Sequence, residues 1–397
     1  MKFLCLVSTI DLKMNLGCTP SWWQLFKAMY QCGHEVIVVP YLGRAIDSLW
    51  WRSYKNPCLT ESLLMRKLTD KRTEMQVTKK KKGKDVNKVK GVFSEGITRK
   101  LTKIFVQPRW KKLLTTIFQK EKHIDIVLVM NLPLNQFEGI PNYIRTLSNV
   151  PIVYYDGDMP TILPQYAMDR GFKFNYYENA DLSEYDLFLI NSEGVIEDLK
   201  KMGAKKVYPF HYGVDPDLIY PVDVKKDRDI AFFGFGSQYR ERWMKKMIAE
   251  PSKKMDGIKF VIGGGNFGID LGDADIVGNI PIPEYKYFVG RSKVNLNITR
   301  KSHASIYKTS TGRIFELPAM GAVMVSQPYN GLDEFFVPSK EYIQLNEEDN
   351  IEEIYKELLS NDEWRAEISH NAREKILKSH TYTNRMQELN RIIGSII

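Results

Sequence analysis

Short apolar runs alternate with amphipathic stretches along most of the chain. KFLCLVST at residues 2–9, HEVIVVPY at 34–41 and IDIVLVM at 124–130 are of the length and composition typical of buried strands. Between the first two runs, apolar positions from Pro20 to Gln31 recur at helical spacing. A second series begins near Asp229 with DIAFFG, a predicted helix and IKFVIGGG. Strands that alternate with helices in this way predict parallel sheets covered by helices on both faces.

The two series predict an α/β protein of two Rossmann-like domains that face each other across a cleft. We expect the first domain at residues 1–210, the second at 211–375, and a final helix at 376–397 that packs back on the first domain. A stretch rich in Pro, Asp and Lys, residues 208–228, marks the seam between them. The length of 397 residues fits two domains.

The charge of the chain is concentrated in one stretch. Hydrophobic residues make up 43% and aromatic residues 12%, which excludes a disordered chain. The net charge is +9, yet residues 64–122 alone contain 19 Lys and Arg against five Asp and Glu. The rest of the chain is therefore slightly acidic. This pattern predicts a basic insertion in the first domain at about residues 64–122, with a mobile loop or solvated helix at Lys79–Lys84. The insertion could contact DNA, an anionic membrane surface or an acidic glycan, and composition does not choose between them.

Location and metal chemistry follow from what the sequence contains. The apolar start is too short for a signal peptide, and no run approaches the roughly 20 apolar residues of a membrane span. We expect a cytoplasmic protein with reduced thiols, in which a peripheral membrane association through residues 64–122 stays open. The cysteines form no CxxC pair and the histidines have no metal-ligand spacing, so we expect no metal and no cofactor.

The segment FFGFGSQYRERW places small residues and arginines between a predicted strand and a predicted helix. A helix N-terminus carries a partial positive charge, so arginines there are favourable when an anion binds. The alternative is an ordinary solvated helix face. The candidate anion-binding residues are Gly234, Gly236, Ser237, Arg240 and Arg242.

The segment TSTGRIFELP likewise places an arginine in the first turn of a second predicted helix. Arg313 can hold a phosphate through its planar fork, and Glu316, three residues later on the same face, can accept both hydroxyls of a ribose. An ordinary Arg–Glu helix pair is the alternative. Ser310, Thr311 and Gly312 complete this candidate donor site.

A third glycine-rich segment, GGGNFG, matches the GxGxxG pattern only formally. A dinucleotide site needs a helix at the third glycine, and IDLGDADIVGNIP follows instead, which disfavours an NAD-dependent oxidoreductase. Gly264 of this segment is expected where the backbone passes close to a ligand or a neighbouring strand.

Two carboxylates and two weaker candidates belong to the first domain. Asp156 and Asp158 directly follow the predicted strand in VYYDGDMP, at the edge expected to face the cleft. A carboxylate there could deprotonate an acceptor hydroxyl, although Asp-Gly-Asp before Pro is also ordinary turn composition. Gly17 and His211 are candidates for contact with the acceptor.

The C-terminal half contains the stretches YDLFLINSEGVIEDLKKMG, IAFFGFGSQYRER and GRIFELPAMGAVMVSQPYNG. In these stretches the chain resembles the CgeB-like (spore protein) glycosyltransferases, which have the two-domain GT-B fold. It implies transfer of a sugar from a nucleotide-sugar donor, with UDP favoured, to an acceptor hydroxyl. Many such enzymes have two glutamates separated by seven residues. Glu316 fits the second glutamate, whereas Lys308 stands at the position of the first.

A second resemblance, to phage DNA beta-glucosyltransferases, rests on Arg-x-x-Glu in the corresponding helix. It implies that Arg313 and Glu316, with Arg240 or Arg242, belong to the donor site. We expect Arg240, Arg242 and Arg313 to neutralise the diphosphate as it leaves, so that arginines and a helix terminus make a metal unnecessary. The resemblance also implies that Asp158 or Asp156 is the general base. The acceptor, a glycan, a protein or DNA, stays open. The alternatives are a glycosyltransferase of modified DNA bases and a non-catalytic nucleic-acid-binding protein.

Overall fold

The computed structural model describes residues 1–12, 21–60, 99–166, 176–236 and 240–395. Within them the chain forms two parallel β-sheets, one in each half, with helices on both faces. The predicted α/β class with two Rossmann-like domains is confirmed.

The N-terminal domain is built around seven parallel strands in the order β3-β2-β1-β4-β5-β6-β7. The strands are β1 Lys2–Val7, β2 Glu35–Pro40, β3 Arg52–Ser53, β4 Ile126–Met130, β5 Ile152–Asp156, β6 Leu187–Ile190 and β7 Val207–Pro209. The helices are α1 Ser21–Gln31, α2 Gln107–Lys120 preceded by a π-helical turn at Thr102–Val106, α3 Leu134–Phe137, α4 Ile140–Leu147 and α5 Ile196–Lys201.

The C-terminal domain contains six parallel strands in the order β10-β9-β8-β11-β12-β13. The strands are β8 Arg228–Phe235, β9 Phe260–Gly265, β10 Asp275–Gly278, β11 Ser292–Asn297, β12 Val323–Ser326 and β13 Ile343–Gln344. The helices are α6 Glu241–Met244, a π-helical turn at Lys245–Ala249, α7 Glu250–Lys254, α8 Tyr285–Gly290, α9 Lys301–Ser305, α10 Gly312–Ala319, α11 Ile351–Ser360 and α12 Asp362–Ser379. A last helix, α13 Tyr382–Gly394, follows them and packs on the N-terminal domain.

Central strands are buried on both faces, which explains why they read as continuous apolar runs in the sequence. Each sheet separates two apolar clusters, one beneath the helices of each face. The edge strands β3, β10 and β13 were not predicted. They are only two to four residues long, and β10 is exposed along its length except at its half-buried last residue. The sequence therefore contains no apolar run that would predict them.

The last part of the predicted basic insertion is a structural helix. Trp110, Leu114 and Ile117 of α2 are at most 1% exposed and pack in the N-terminal core. The three buried side chains make α2 part of the packed N-terminal domain, although it lies within the predicted insertion. Lys79–Lys84 lies outside the described residues.

The chain passes between the domains twice. Residues after β7 lead into the C-terminal domain, and the chain returns at Thr381, which pairs with Val214 in a parallel bridge. Helix α13 then packs on α1 through side chains that belong to the N-terminal core: Tyr382, Met386, Leu389 and Ile393.

Candidate active site

In the C-terminal sheet the strand order reverses between β8 and β11, the point where open α/β sheets bind ligands. Two arginines reach this point from different helices. Arg240 Nε donates to the carbonyl oxygen of Ile298, which follows β11, at 3.0 Å, and Arg313 Nη1 donates to the same oxygen at 2.6 Å. Two positive charges are therefore fixed side by side at the carboxyl edge of the sheet.

The local sequence makes room for Arg313. Its Nη2 donates to the carbonyl oxygen of Phe233 at 2.6 Å, and its guanidinium lies 4.9 Å from the centre of the Phe232 ring. A β-carbon at Gly234 would come within 3.2 Å of Arg313 Nη2 and 2.6 Å of the Phe232 ring. Glycine at this position thus lets the guanidinium lie flat against the end of β8.

Glu316 lies one helical turn after Gly312, at the start of α10, and is 8% exposed. Its carboxylate folds back over the first turn, because a β-carbon at Gly312 would lie 3.2 Å from Glu316 Oε1. Burial raises the pKa of Tyr382, and the charge of Glu316 adds to that shift. Glu316 therefore lies near Tyr382, at the point where the chain returns to the N-terminal domain.

Two aspartates lie at the carboxyl end of β5 in the N-terminal domain, and they have different surroundings. Asp156 is the last residue of the strand, and Asp158 comes two residues later. Asp156 is 2% exposed; its Oδ1 accepts from the Asp158 backbone N–H at 2.9 Å and its Oδ2 from the Tyr177 hydroxyl at 2.7 Å. Burial, followed by the nearby charge of Asp158, raises the pKa of Asp156 to about 7. This side chain shapes the turn and is closed to an acceptor.

Asp158 is exposed, and its Oδ2 accepts from Asn131 Nδ2 at 2.9 Å. Protein atoms around it remove part of its hydration, which raises its pKa, while the positive charge of Arg300 and the bond from Asn131 oppose the rise. An accessible carboxylate with a raised pKa suits proton abstraction. Of the two candidates, the geometry favours Asp158.

Sequence reasoning missed three residues of this cleft, Asn131, Arg300 and His303. Asn131 directly follows β4 with a positive φ of 52°, and its Oδ1 accepts from the Gly157 backbone N–H at 2.9 Å. His303 Nε2 is buried without a hydrogen-bond partner. Burial, then the charges of Arg300 and Arg240, lowers the pKa of His303 to about 3, so its imidazole is neutral. The rule that ligands bind after strand ends could have found Asn131 and Arg300.

Four predicted site residues lie elsewhere. Arg242 makes an exposed ion pair of 2.5 Å with Glu347, near the edge strand β13, and does not join Arg240. A β-carbon at Gly264 would overlap the Gly234 carbonyl oxygen at 1.7 Å, so this glycine serves the close pairing of β9 with β8. The remaining two lie in the domain seam.

The seam holds the two sheet edges opposite each other. Ser310 is fully buried: its hydroxyl accepts from the Tyr212 backbone N–H at 3.1 Å and donates to the Asn191 carbonyl at 3.3 Å. His211 is 6% exposed, with Nε2 3.4 Å from Glu193 Oε1. Burial of His211 lowers its pKa. Both side chains are buried against partners inside the seam, and the predicted roles of Ser310 in donor binding and of His211 in acceptor binding stay predictions.

The other predicted residues and the expected metal chemistry can be placed briefly. Thr311 is the N-cap residue of α10 by its backbone geometry, and Gly236 turns the chain after β8 with a φ of 72°. Gly17 and Ser237 lie outside the described residues. Among the residues that the structure describes, no group of three or more His, Cys, Asp or Glu is placed to hold a metal ion, and no helix is long and apolar enough to cross a membrane.

The chain is similar in sequence to a known family over part of its length. Residues 240–391 match the family model described as glycosyl transferase-like. No curated protein sequence matches the chain.

Solved structures share the fold over the full chain. Sucrose-phosphate synthase from Thermosynechococcus elongatus is 12% identical with a TM-score of 0.64, and all of both chains is covered. Anabaena HepE in complex with UDP-glucose is 12% identical with a TM-score of 0.60, again over all of both chains. An aspartate-to-alanine mutant of a T4 phage beta-glucosyltransferase, in complex with UDP-glucose, is 14% identical with a TM-score of 0.55 over all of this chain and 99% of that one. The two domains therefore have the GT-B arrangement.

Proposed function

We propose that this chain is a glycosyltransferase that moves a sugar from a nucleotide-sugar donor, a UDP-sugar, to an acceptor hydroxyl. The observation that carries the proposal is the pair Arg240 and Arg313, which meet at one carbonyl oxygen at the switch point of the C-terminal sheet. The match of residues 240–391 to a glycosyl transferase-like model, and the UDP and UDP-glucose complexes of proteins with the same fold, support it. The three stretches quoted above favour the CgeB-like group within that class.

The arginines would stabilise the leaving group. When the bond between the sugar C1 and the diphosphate oxygen breaks, the electron pair stays on the diphosphate and negative charge builds there. Arg240 and Arg313 are held by backbone carbonyls, so they need not reorganise as this charge develops. We expect this pair to replace a metal ion as the electrophile.

Glu316 would select the nucleotide. The buried carboxylate of Glu316, one turn into α10, can accept hydrogen bonds from both hydroxyls of a ribose. Its Oε1 lies close to Gly312 at the N-terminal end of the helix.

Asp158 would activate the acceptor. The acceptor O–H proton passes to the carboxylate, the oxygen forms a bond to the sugar C1, and the nucleoside diphosphate departs with the electron pair. The raised pKa of Asp158 makes the carboxylate a stronger base than an ordinary aspartate. Asn131 orients it through the 2.9 Å hydrogen bond.

Calorimetric titration with UDP, GDP, ADP and TDP, with and without a chelator, tests the proposal. We expect UDP to bind best, the chelator to leave affinity unchanged, and Arg313→Ala to weaken binding while Arg242→Ala does not. Absence of binding to all four nucleotides would refute a nucleotide-sugar enzyme, and equal binding of all four would refute the preference for UDP.

A transferase of DNA bases is a second candidate, favoured by the full-length likeness to the phage enzyme that modifies DNA. It shares the donor chemistry described above and differs only in the acceptor. The exposed surface at the start of α2 helps to distinguish these two kinds of acceptor.

A further inference from the structure

The N-terminal end of α2 and the helical turns before it expose an unusual combination of side chains. Leu101 is 38% exposed, Ile104 62% and Phe105 56%. Basic residues lie beside them along the same exposed face. We define the rim strip as these seven exposed residues: Lys100, Leu101, Lys103, Ile104, Phe105, Arg109 and Lys112.

The helix itself is firmly anchored, so this exposure is a property of one face only. Trp110, Leu114 and Ile117 point into the core on the opposite face. Gln107 Nε2 donates to the carbonyl oxygens of Gln136 and Glu138 at 3.1 and 2.9 Å. The π-helical turn at 102–106 adds a residue to one turn, which shifts which side chains face outward. Apolar side chains are thus presented to solvent on a rigid support.

The rim strip lies at the acceptor side of the cleft. Helix α2 ends six residues before β4 begins and runs opposite to it, so its start lies toward the carboxyl edge of the sheet. Residues 102–120 span about 28 Å at 1.5 Å per residue, whereas the five residues of β4 span about 17 Å, so the helix is long enough to reach that edge. Asn131, which holds Asp158, follows β4 at the same edge.

We propose that the rim strip docks this protein on an anionic lipid surface, beside the edge that carries Asp158. Exposed Ile and Phe flanked by Lys and Arg are what a membrane interface takes up, with the apolar groups at the acyl boundary and the cations at the headgroups. DNA phosphates would bind the cations and gain nothing from the apolar pair. The acceptor hydroxyl is then presented to Asp158 from the lipid surface.

A second exposed apolar pair provides a matched contrast. Ile276 and Val277 of β10 are 57% and 46% exposed, but their neighbours Asp273 and Asp275 are acidic. An anionic surface would repel this patch. It therefore serves as a control for the loss of two exposed apolar side chains.

Flotation of the full chain with vesicles tests the proposal without any assay of sugar transfer. Vesicles of phosphatidylcholine with phosphatidylglycerol are compared with phosphatidylcholine alone at about 0.1 M salt, where the screening length is about 10 Å. We expect binding only to the anionic vesicles. Ile104→Ser with Phe105→Ser should lower the partition coefficient by roughly tenfold or more, because the apolar area no longer enters the interface.

The charge variant and the control separate the two components. Lys100→Ser with Lys112→Ser should weaken binding by about fivefold per lysine, and the loss should shrink at high salt. Ile276→Ser with Val277→Ser should bind as the wild type does. All three double variants change exposed side chains, and circular dichroism and thermal melting check that they fold.

Three outcomes would overturn the proposal. The first is absence of wild-type binding to anionic vesicles. The second is equal vesicle binding by the Ile104→Ser, Phe105→Ser variant and the wild type. The third is binding of duplex DNA that needs Lys100 and Lys112 but tolerates loss of Ile104 and Phe105, which would assign the face to a nucleic acid. Because UDP binding is measured separately, failure of the docking surface and failure of the proposed function are distinguishable.

Discussion

The two sheet edges that face the cleft carry charge in opposite ways. In the C-terminal domain, Arg240 and Arg313 donate to backbone carbonyl oxygens, so their positions are set by the ends of β8 and β11. In the N-terminal domain, the carboxylate of Asp158 is exposed and accepts a side-chain hydrogen bond from Asn131. The first arrangement suits a ligand of constant shape and charge, and the second leaves room for a variable one. This difference fits a donor site of fixed geometry and an acceptor site that can adapt.

The largest effect on the rate of transfer is expected at Asp158, in the N-terminal domain. Asp158→Asn keeps the shape and the contact with Asn131 but removes the base. The rate of transfer, kcat, should fall by about 100- to 10,000-fold, with donor affinity unchanged. Steady-state kinetics with separate UDP titrations measure both quantities. A loss of less than tenfold in kcat would place the base elsewhere.

The next largest effect tests whether Arg313, in the C-terminal domain, stabilises the leaving group. Arg313→Ala should lower kcat/KM by about 100- to 1,000-fold, because a preorganised donor to the developing charge is lost. Arg313→Lys should recover only part, since a lysine supplies a point charge and not a planar fork.

The matched control for the arginine is Arg242, which makes an exposed ion pair with Glu347. Arg242→Ala should change kcat/KM by less than about twofold. Full recovery of turnover by Arg313→Lys would rule out a bidentate role, and a large effect of Arg242→Ala would contradict the placement of that side chain outside the site.

A smaller effect concerns nucleotide selection. Glu316→Ala should weaken UDP binding by about 10- to 100-fold, because hydrogen bonds to a charged group are worth roughly 1.5–3 kcal/mol. The 2′-deoxy nucleotide should lose affinity for the wild type and much less for the variant. Calorimetry with both nucleotides measures how much affinity each protein loses when the 2′-hydroxyl is absent. Equal losses of affinity in the wild type and the variant would show that Glu316 does not contact the ribose.

The raised pKa of Asp156 should make the stability of the protein depend on pH. Because the folded-state pKa of Asp156 is raised from 3.8 to about 7, its contribution to stability is present below pH 4 and is lost as pH rises toward 7. Asp156→Asn lacks this loss, so the free energy of unfolding of the variant minus that of the wild type should increase between about pH 4 and pH 7. Denaturant titrations across that window measure the difference. A constant difference would mean that Asp156 titrates normally.

The smallest effect sharpens the position of Glu316. In Gly312→Ala the new β-carbon would lie 3.2 Å from Glu316 Oε1, so the carboxylate must shift. A shift out of its rotamer costs on the order of 0.5–1.5 kcal/mol, which predicts a two- to tenfold loss of UDP affinity. Gly265→Ala, where the added carbon meets nothing within 4 Å, is the control. Equal affinities of both variants would show that Glu316 does not point back over the helix.

The sequence predicts the parts of this molecule whose information is local. Central strands are recognisable because both faces are buried, and Arg313 with Glu316 is recognisable because three residues of helix bring them to one face. The edge strand β10 has no buried face that a sequence pattern could reveal. The lysines of helix α2 made it resemble a basic insertion, although its Trp110 and Leu114 lie in the core. These elements depend on packing partners far away in the chain.

The same limit explains why the sequence did not predict the partners of several candidate site residues. Arg240 and Arg242 stand two positions apart at a helix start, and their directions depend on Ile298 and Glu347, more than 50 residues away. Ser310 carries the composition of a ligand loop, yet its partner Asn191 comes from the other domain. A residue type shows what a side chain can bind, and only the fold shows which partner it meets.

The return of the chain at Thr381 has a consequence for engineering. Helix α13 completes the first domain with Tyr382, Met386 and Leu389, although these residues follow the whole of the second. A chimera that exchanges the acceptor half between related enzymes must therefore carry residues 382–394 together with the N-terminal segment. A cut at the seam alone would leave the donor half with an apolar helix that has lost its binding surface on α1.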